Sequence, residues 1–407
     1  MKFDIKKIRQ DFPILGTRVN GKPLTYLDNA ATTQKPQNVI DAITQYYTTY
    51  NSNIHRGTHH LSNLATEAHE AGRQKVQGYL NAQHDHEIIF TRGTTEAINL
   101  VAFSFGEAFV TPGDEVIVTE MDHHSNFVPW QIMCERRQAH FRVVPFDENG
   151  DLQLDIYEKL LNERTRIVAF NHVSNSLGTV NPAQQIIKMA HDAGAAVLVD
   201  AAQSVQHIEH DVQALDADFY VFSGHKMYGP TGIGVLYGKE SWLEAMPPYQ
   251  GGGEMIDLVT IDKTTYNKLP FKFEAGTPNI VGPIGLAAAI NYMDQFPFDE
   301  IMAHEDQVLA YGRERLLEVE GLTIYGNARQ RTSILAFNIE GVHHYDLGTL
   351  LDTQGVAVRT GHHCTQPIMT ALGIDGTVRA SLALYNTRED IDTLLTALHK
   401  VLKMLGR

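Results

Sequence analysis

The stretch VDAAQSVQHIEHDVQALDADFYVFSGHKMY, residues 199–228, decides how this chain is interpreted. Asp200 ends one apolar strand pattern, and Lys226 follows a second one, so both side chains are placed at strand ends. An aldehyde cofactor with a basic ring nitrogen needs such a pair, because a lysine forms its Schiff base and a carboxylate keeps the ring nitrogen protonated. The stretch therefore predicts a site for pyridoxal phosphate.

Each residue of this pair also has an ordinary explanation. Asp200 could be a buried acid that caps the following helix, and a lysine is usually a solvated surface residue. However, a buried carboxylate needs a cationic or hydrogen-bonding partner, and the apolar runs on both sides of Lys226 disfavour solvation. We therefore favour the cofactor site, in which Gln203 reaches a phenolic oxygen of the ring and Ser223 and His225 help to hold the phosphate.

Apolar, β-branched runs alternate with helical patterns along most of the 407 residues. Strands are predicted at 87–90, 115–120, 140–146, 166–173, 196–202, 218–225 and 232–239. Helices are predicted at 36–50, 62–81, 94–106, 126–138, 154–161 and 182–193. This alternation indicates an α/β fold, a mostly parallel seven-stranded sheet flanked by helices.

After about residue 290 the pattern becomes shorter, with strands predicted at 333–339, 356–361 and 378–384 and helices at 284–296, 299–319, 345–354 and 388–405. We therefore expect a large cofactor-binding domain over residues 23–290 and a smaller α+β domain over 291–407 that carries a loop with Cys364. Residues 1–22 are expected to form an N-terminal segment that packs with the small domain.

Charge and cysteine content restrict the function class. A net charge of −15 argues against nucleic acid or an anionic membrane as the main partner. Two cysteines, Cys134 and Cys364, cannot build a disulfide framework and fit a reducing compartment. The start MKFDIKKIRQDF has no apolar signal core, and no run approaches the ~20 apolar residues that span a bilayer. We expect a cytoplasmic protein.

Two further motifs follow predicted strands. In TRGTTEAIN (91–99), the hydroxyls of Thr94 and Thr95 at a strand-to-helix turn could bind phosphate, although a plain helix cap is an alternative. In MDHHSNFVPW (121–130), His123 could stack on an aromatic cofactor, and a zinc ligand or a loop histidine is the alternative. Because HExxH and CxxC spacings do not occur, we expect no metal site.

The stretch VAVRTGHHCTQP (356–367) places the Cys364 thiol beside two imidazoles and shortly after Arg359. A thiolate forms where positive charge or a proton acceptor is close, and the thiolate is the nucleophile. Cys364 is therefore predicted to be reactive, whereas Cys134 is expected to be inert and buried. Arg379, in VRAS, could hold a substrate carboxylate through a bidentate pair.

These motifs resemble the SufS-type (group II) cysteine desulfurases, which belong to the class V aminotransferase family of pyridoxal-phosphate fold type I. The resemblance covers nearly the whole chain and is carried by YLDNAATTQKP (26–36), NIHRGTHHLS (53–62), TRGTTEAINLVA, DHHSN, NHVSNSLGT (171–179), VDAAQS, SGHKMYGPTGIG, FEAGTPN (273–279) and RTGHHC. The short RTGHHC loop differs from the longer cysteine loop of the sister desulfurases, and kynureninase-like relatives lack the cysteine.

The resemblance implies a homodimer that converts L-cysteine to L-alanine and leaves a persulfide on Cys364, for transfer to an acceptor protein in iron–sulfur cluster assembly. The resemblance implies that Lys226 forms the Schiff base and transfers the Cα proton, and that Asp200, Gln203 and His123 contact the cofactor ring. The phosphate would be bound by Thr95, Ser223, His225 and a Thr277 from the other subunit. Asn175 and Arg379 would bind the substrate carboxylate, and Arg359 would lie near the reacting sulfur.

Two departures from the family pattern bear on the loop and the partner. Thr365 stands where this branch usually has alanine after the cysteine. Tyr345 stands where relatives served by a zinc-containing SufU-type acceptor place a histidine, which favours a SufE-type acceptor. The alternatives are a selenocysteine lyase, a β-lyase that does not need the cysteine, and a non-catalytic scaffold or metal-binding sulfur-trafficking protein.

Overall fold

The computed structural model describes residues 3–407, and its strands fall into one large sheet, one small sheet and three two-stranded ribbons. In chain order the strands are β1 (Arg18–Val19), β2 (Lys22–Pro23), β3 (Thr25–Tyr26), β4 (Ile88–Thr91), β5 (Glu115–Thr119), β6 (His140–Val144), β7 (Thr165–Asn171), β8 (Ala196–Asp200), β9 (Phe219–Ser223), β10 (Gly234–Gly238), β11 (Ile256–Val259), β12 (Thr264–Tyr266), β13 (Leu322–Tyr325), β14 (Ile334–Ile339), β15 (Val356–Ala357), β16 (Arg359–Gly361) and β17 (Thr377–Ser381).

The large sheet has the strand order β4-β10-β9-β8-β7-β5-β6. The five strands from β9 to β6 run parallel, and β10 is antiparallel to both of its neighbours, β4 and β9. Every residue of β5, β8, β9 and β10 is buried, as expected of strands covered on both faces. The predicted mostly parallel seven-stranded α/β sheet is confirmed.

Helices cover both faces of this sheet and enclose two separate apolar clusters. In chain order the helices are α1 (Ile5–Gln10), α2 (Gln37–Gln45), α3 (His60–Leu80), α4 (Thr94–Phe109), α5 (Val128–Arg137), α6 (Leu154–Leu160), α7 (Ala183–Asp192), α8 (Val212–Leu215), α9 (Glu240–Ala245), α10 (Val281–Met293), α11 (Phe298–Leu316), α12 (His344–Asp352), α13 (Gln366–Leu372) and α14 (Arg388–Met404). Among residues 3–407, no helix is both long and apolar enough to cross a membrane.

The C-terminal part forms a four-stranded antiparallel sheet in the order β13-β14-β17-β16. Helices α11, α12 and α14 pack on it around a third apolar cluster. The pattern at 356–361 divides into β15, which pairs with the N-terminal β3, and β16, which joins the small sheet. The sequence did not predict β13, since only one of its four residues is buried.

The N-terminal segment contacts both parts of the chain. Arg9 forms an ion pair of 2.8 Å with Asp390, and Phe12 packs against Tyr228 and Tyr385. The first two residues of the predicted 1–22 segment lie outside the described residues. The proposed boundary at residue 290 falls within α10, and the division into domains stays a prediction.

Candidate active site

A cavity of about 290 Å³ opens at the carboxyl ends of the parallel strands. The side chains around it come from strand ends and from the loop after β16. All of the predicted site residues except Thr277 line this cavity, namely Thr94, Thr95, His123, Asn175, Asp200, Gln203, Ser223, His225, Lys226, Arg359, Cys364 and Arg379. Residues separated by up to 285 positions, Thr94 to Arg379, therefore meet in one place.

Asp200 and Lys226 face this cavity from adjacent strands, β8 and β9. Burial raises the pKa of the Asp200 carboxyl, while the N–H of Ala202, at 2.9 Å, and the charge of Lys226 oppose that rise. Burial lowers the pKa of Lys226 to about 8, and the Asp200 carboxylate limits the fall. Among residues 3–407 no cationic side chain bonds Asp200 directly, and a protonated ring nitrogen would supply that partner.

The end of the cavity at which phosphate binding was predicted is formed where β4 meets α4. The backbone N–H of Thr94 donates to the Ser223 hydroxyl at 2.8 Å, and the Thr94 hydroxyl lies 2.8 Å from the same oxygen. Gly93 caps α4, and a Cβ on Gly234 would lie 2.4 Å from the Gly93 Cα, so glycine is required at that close approach. The N-terminus of this sixteen-residue helix suits an anion.

His123 presents a neutral ring to the cavity. Burial, together with the positive charge of Lys226, lowers its pKa to about 3. Its Nδ1 accepts from the backbone N–H of Ser125 at 3.1 Å, which fixes the ring orientation. Burial likewise lowers the pKa of His225 to about 4. A neutral imidazole can stack on an aromatic ring without adding charge beside Lys226.

Two buried amides have unused atoms near the cavity. The Gln203 Nε2 donates to the Ala30 carbonyl at 2.7 Å, while its Oε1 has no partner among the described residues. The Asn175 Nδ2 donates to the His363 carbonyl at 2.8 Å, and its Oδ1 is likewise unpaired within residues 3–407. Buried polar atoms without partners favour a bound polar group. The residues present therefore fit the predicted cofactor and substrate.

The Cys364 loop is held in an unusual conformation. His363 and Cys364 both have left-handed backbone angles, with φ of +51° and +58°. The backbone N–H of His124 donates to the Cys364 carbonyl at 2.8 Å, and the Cys364 N–H donates to the His362 Nδ1 at 3.1 Å. The Cys364 side chain is exposed, whereas Cys134 is buried in the second apolar cluster, as predicted.

Two arginines next to this loop share one carboxylate. Asp28 forms an ion pair of 3.1 Å with Arg359 and one of 3.4 Å with Arg379. Burial lowers the pKa of Arg379 to about 10, and Asp28 opposes that fall. The buried Nε of Arg379 has no partner in the described part of the chain, so the guanidinium retains a donor for a substrate carboxylate.

The motifs predicted no role for Asp28 or His124, and they included His363 only as one of the two imidazoles beside Cys364. Asp28 lies in the YLDNAATTQKP motif, which contributed to the family resemblance. The motif does not predict that Asp28 pairs with Arg359, which lies 331 positions away. His363 is buried, and its Nε2 lies 2.9 Å from the Thr377 hydroxyl. His124 is next to His123 in DHHSN, and His363 is next to Cys364 in RTGHHC. These neighbouring positions were the only signals in the motifs that could have pointed to the two histidines.

Thr277 lies outside the cavity. It is exposed, on a turn that borders a different depression together with Arg92, Gln250 and Glu274. Its predicted contact belongs to a second subunit, so its position within one chain does not test that role. Within the residues that the structure covers, no three His, Cys, Asp or Glu side chains are grouped so that they could hold a metal ion.

Comparisons with known proteins agree with this geometry. Residues 25–394 match the family model for class V aminotransferases. The chain is 51% identical over 403 residues to the probable cysteine desulfurase of Halalkalibacterium halodurans, covering 99% of this chain and 98% of that protein. It is 51% identical to the cysteine desulfurase of Synechococcus elongatus over 98% of this chain, and it spans 64% of the length of that protein.

Among solved structures, the cysteine desulfurase CsdA of Escherichia coli, in its S-sulfonic acid form, superposes with a TM-score of 0.92 at 40% identity, covering 99% of this chain and 100% of that chain. Fold and site together define a pyridoxal-phosphate enzyme of fold type I. The chain belongs to the cysteine desulfurases of the class V aminotransferase family. The predicted cofactor, pyridoxal phosphate, is confirmed as the cofactor of this family.

Proposed function

We propose that this protein converts L-cysteine to L-alanine and places the released sulfur on Cys364 as a persulfide, for delivery to an acceptor protein in iron–sulfur cluster assembly. One observation carries the proposal: the exposed Cys364 lines the same cavity as Lys226 and Arg379. A nucleophile, a proton carrier and a carboxylate clamp therefore face one substrate-sized space.

The residues around the cavity divide the work on the amino acid. When bound, pyridoxal phosphate withdraws electrons from the Cα of the amino acid. Lys226, whose pKa burial lowers to about 8, takes a proton from Cα and later returns it. Arg379 and the second N–H of the Asn175 Nδ2, whose first N–H is donated to His363, hold the substrate carboxylate. His123 would stack on the cofactor ring, and Asp200 would hold the ring nitrogen.

Cys364 carries the sulfur transfer. Its thiolate attacks the sulfur of L-cysteine, so that an S–S bond forms as the Cβ–S bond breaks. The electron pair of the broken bond passes to the carbon fragment, and a proton added at Cβ completes L-alanine. Arg359, beside the loop, stabilises negative charge on the reacting sulfur. The persulfide then stands on an exposed side chain, where an acceptor protein can reach it.

Two features support assignment to the SufS branch with an acceptor of the SufE type. The cysteine loop is short, since only the residues between β16 (Arg359–Gly361) and α13 (Gln366–Leu372) form it. Tyr345, near the start of α12, is 64% exposed and can meet a partner protein. Alanine production should rise with a SufE-type acceptor and not with a zinc-containing SufU-type acceptor; the reverse would contradict this assignment.

The proposed enzyme is a homodimer in the cytoplasm, where Cys134 and Cys364 stay reduced. Thr277 is exposed and lies outside the cavity of its own chain, which leaves it free for the proposed contact with the cofactor phosphate of another copy. Light scattering should give the mass of two chains, and Thr277→Ala should weaken cofactor retention in the dimer. A monomer that retains the cofactor fully would contradict this arrangement.

The reaction itself is tested by comparing wild type with Cys364→Ala on two substrates. With L-cysteine, Cys364→Ala should form almost no alanine. A β-lyase that does not need the cysteine would keep its full rate. A selenocysteine lyase would turn over L-selenocysteine faster than L-cysteine. If the wild type shows that preference, its main activity is selenocysteine cleavage and not sulfur transfer to Cys364. The matched control is Cys134→Ala, which alters a buried thiol outside the cavity.

A further inference from the structure

A second cavity, of about 530 Å³, lies between α11 and the segment that precedes β14. It shares no lining residue with the active-site cavity. Three arginines line it, Arg313 on α11 and Arg329 and Arg331 on the segment. The volume falls within the roughly 300–1,000 Å³ that is usual for small-molecule sites.

These arginines have no acidic partner among residues 3–407. Arg313 donates to the Gly326 carbonyl at 3.3 Å and to the Asn327 Oδ1 at 2.5 Å, and Arg331 donates to the Ala328 carbonyl at 2.7 Å. All of these acceptors are neutral. In a chain with 48 acidic and 33 basic side chains, three arginines without an acidic partner are a distinctive local excess of positive charge.

The backbone holds the arginine segment in place. The N–H of Val180 donates to the Gln330 carbonyl at 2.9 Å, and the N–H of Thr332 donates to the Gly178 carbonyl at 2.9 Å. The N–H of Arg329 also donates to the Asp151 carboxylate at 3.3 Å. These bonds fix the backbone of the segment, so binding would order only the arginine side chains.

Electrostatics favour an anion in this cavity. Burial lowers the pKa of Arg313, and the positive charge of Arg331 lowers it further. Asp306 lines the cavity as well but forms no ion pair in the described chain. A bound anion would remove the repulsion between the two guanidinium groups, and arginine binds phosphate oxygens through paired N–H donors.

Part of the remaining wall of the cavity is apolar, and His207, Asp306, Gln330 and Thr332 add polar groups to it. Ile208, Met302, Leu309 and Ala310 line it opposite the charged segment. We propose that this cavity binds a small phosphorylated organic molecule, with its phosphate between Arg313, Arg329 and Arg331 and its carbon skeleton on Leu309 and Met302. Three positive charges match a dianionic phosphate better than a single carboxylate.

A ligand in this cavity would join two parts of the fold. Val180 and Ile208 belong to segments that continue from the large sheet, whereas α11 packs on the small sheet. The arginine segment leads into β14 of the small sheet and forms a bridge from Arg331 to Thr179. Binding to the folded state alone raises the unfolding temperature with ligand concentration. Thermal unfolding therefore reads out binding without depending on the catalytic reaction.

The test uses the enzyme saturated with pyridoxal phosphate, so that its own phosphate site is filled, and phenyl phosphate as the probe. At constant ionic strength, phenyl phosphate should raise the unfolding temperature saturably, and phenol should not. The combined substitution Arg313→Gln and Arg331→Gln should abolish the rise. The control Arg315→Gln, which removes a charge from the same helix but outside the cavity, should keep it.

Arg329→Gln provides an independent variant, because the Arg329 side chain makes no hydrogen bond within the described residues and its loss should not impair folding. Its dissociation constant for phenyl phosphate, measured by calorimetry, should rise at least about threefold. No saturable shift in wild type, an equal shift with phenol, or an unchanged dissociation constant in Arg329→Gln would each overturn the proposal.

Discussion

The backbone N–H of His124 donates to the carbonyl oxygen of Cys364 at 2.8 Å, and the His124 Nε2 accepts from the N–H of Gln366 at 3.1 Å. The residue next to His123 thus holds the loop that carries the thiol at Cys364 and again two residues later. These two bonds set where the thiol stands relative to the cofactor site, and they offset part of the strain of the left-handed backbone at Cys364.

His124→Ala removes one of these bonds and should slow sulfur transfer without weakening the cofactor site. A single hydrogen bond contributes about 0.5–1.5 kcal/mol, so the rate of persulfide formation should fall by up to about tenfold. Stopped-flow measurement of a single turnover with L-cysteine checks the rate. His124→Asn keeps a side-chain acceptor and should recover part of the lost rate. If His124→Ala forms the persulfide as fast as wild type, the hydrogen bond from Gln366 to His124 has no role in sulfur transfer.

Arg379→Ala should reduce kcat/KM for L-cysteine, because the clamp for the substrate carboxylate is lost. Hydrogen bonds to charged groups contribute about 1.5–3 kcal/mol each, which predicts a loss of roughly 10–100-fold. Steady-state assays with L-cysteine and its methyl ester check the cause. The ester has no carboxylate charge, so the loss should be much smaller with it. Equal losses on both substrates would assign Arg379 a structural role with Asp28 instead.

Any pyridoxal phosphate that Lys226→Ala retains should be bound noncovalently. Borohydride reduction followed by peptide mass analysis should place pyridoxal phosphate on Lys226 in wild type and on no peptide in the variant. Lys35→Ala is the matched control, since Lys35 is a half-buried amine that donates to the His225 carbonyl at 2.9 Å and does not line the cavity. A reduced adduct on Lys35 in wild type would contradict the assignment.

His172 should make the protein less stable in acid. Burial lowers its folded-state pKa to about 4, below the value near 6.5 of an unfolded chain. Between these values the unfolded chain binds more protons than the folded one, so the free energy of unfolding falls as pH drops from 6.5 towards 4. The contribution of this one group is on the order of 3 kcal/mol.

Denaturant titrations of the cofactor-loaded enzyme at several pH values measure how steeply the free energy of unfolding depends on pH. His172→Phe keeps a planar ring without a titrating nitrogen and should flatten the dependence on pH. The control His60→Gln changes an exposed histidine and should leave the slope as in wild type. An identical slope in His172→Phe and wild type would mean that the acid sensitivity arises elsewhere.

The sequence predicted the large sheet well because its strands are apolar throughout and regularly spaced, as in β8, which ends at Asp200. Lys226 and Asp200 were predictable since Asp200 ends β8 and Lys226 lies shortly after β9, and parallel strand ends meet at one edge. The pairing of Asp28 with Arg359 and Arg379 was not predictable, because it depends on how β3 and the small sheet come together in space. For the same reason, the arginines of the second cavity carried no signal in the sequence.

The most direct test of the proposed reaction is mass analysis of the Cys364 peptide after the enzyme loaded with pyridoxal phosphate meets L-cysteine, with alanine measured in the same sample. The account predicts one added sulfur atom on Cys364, none on Cys134, and one alanine for each persulfide before any acceptor is added. Alanine formed at the full rate with Cys364 unmodified, or L-cysteine left unchanged, would contradict it.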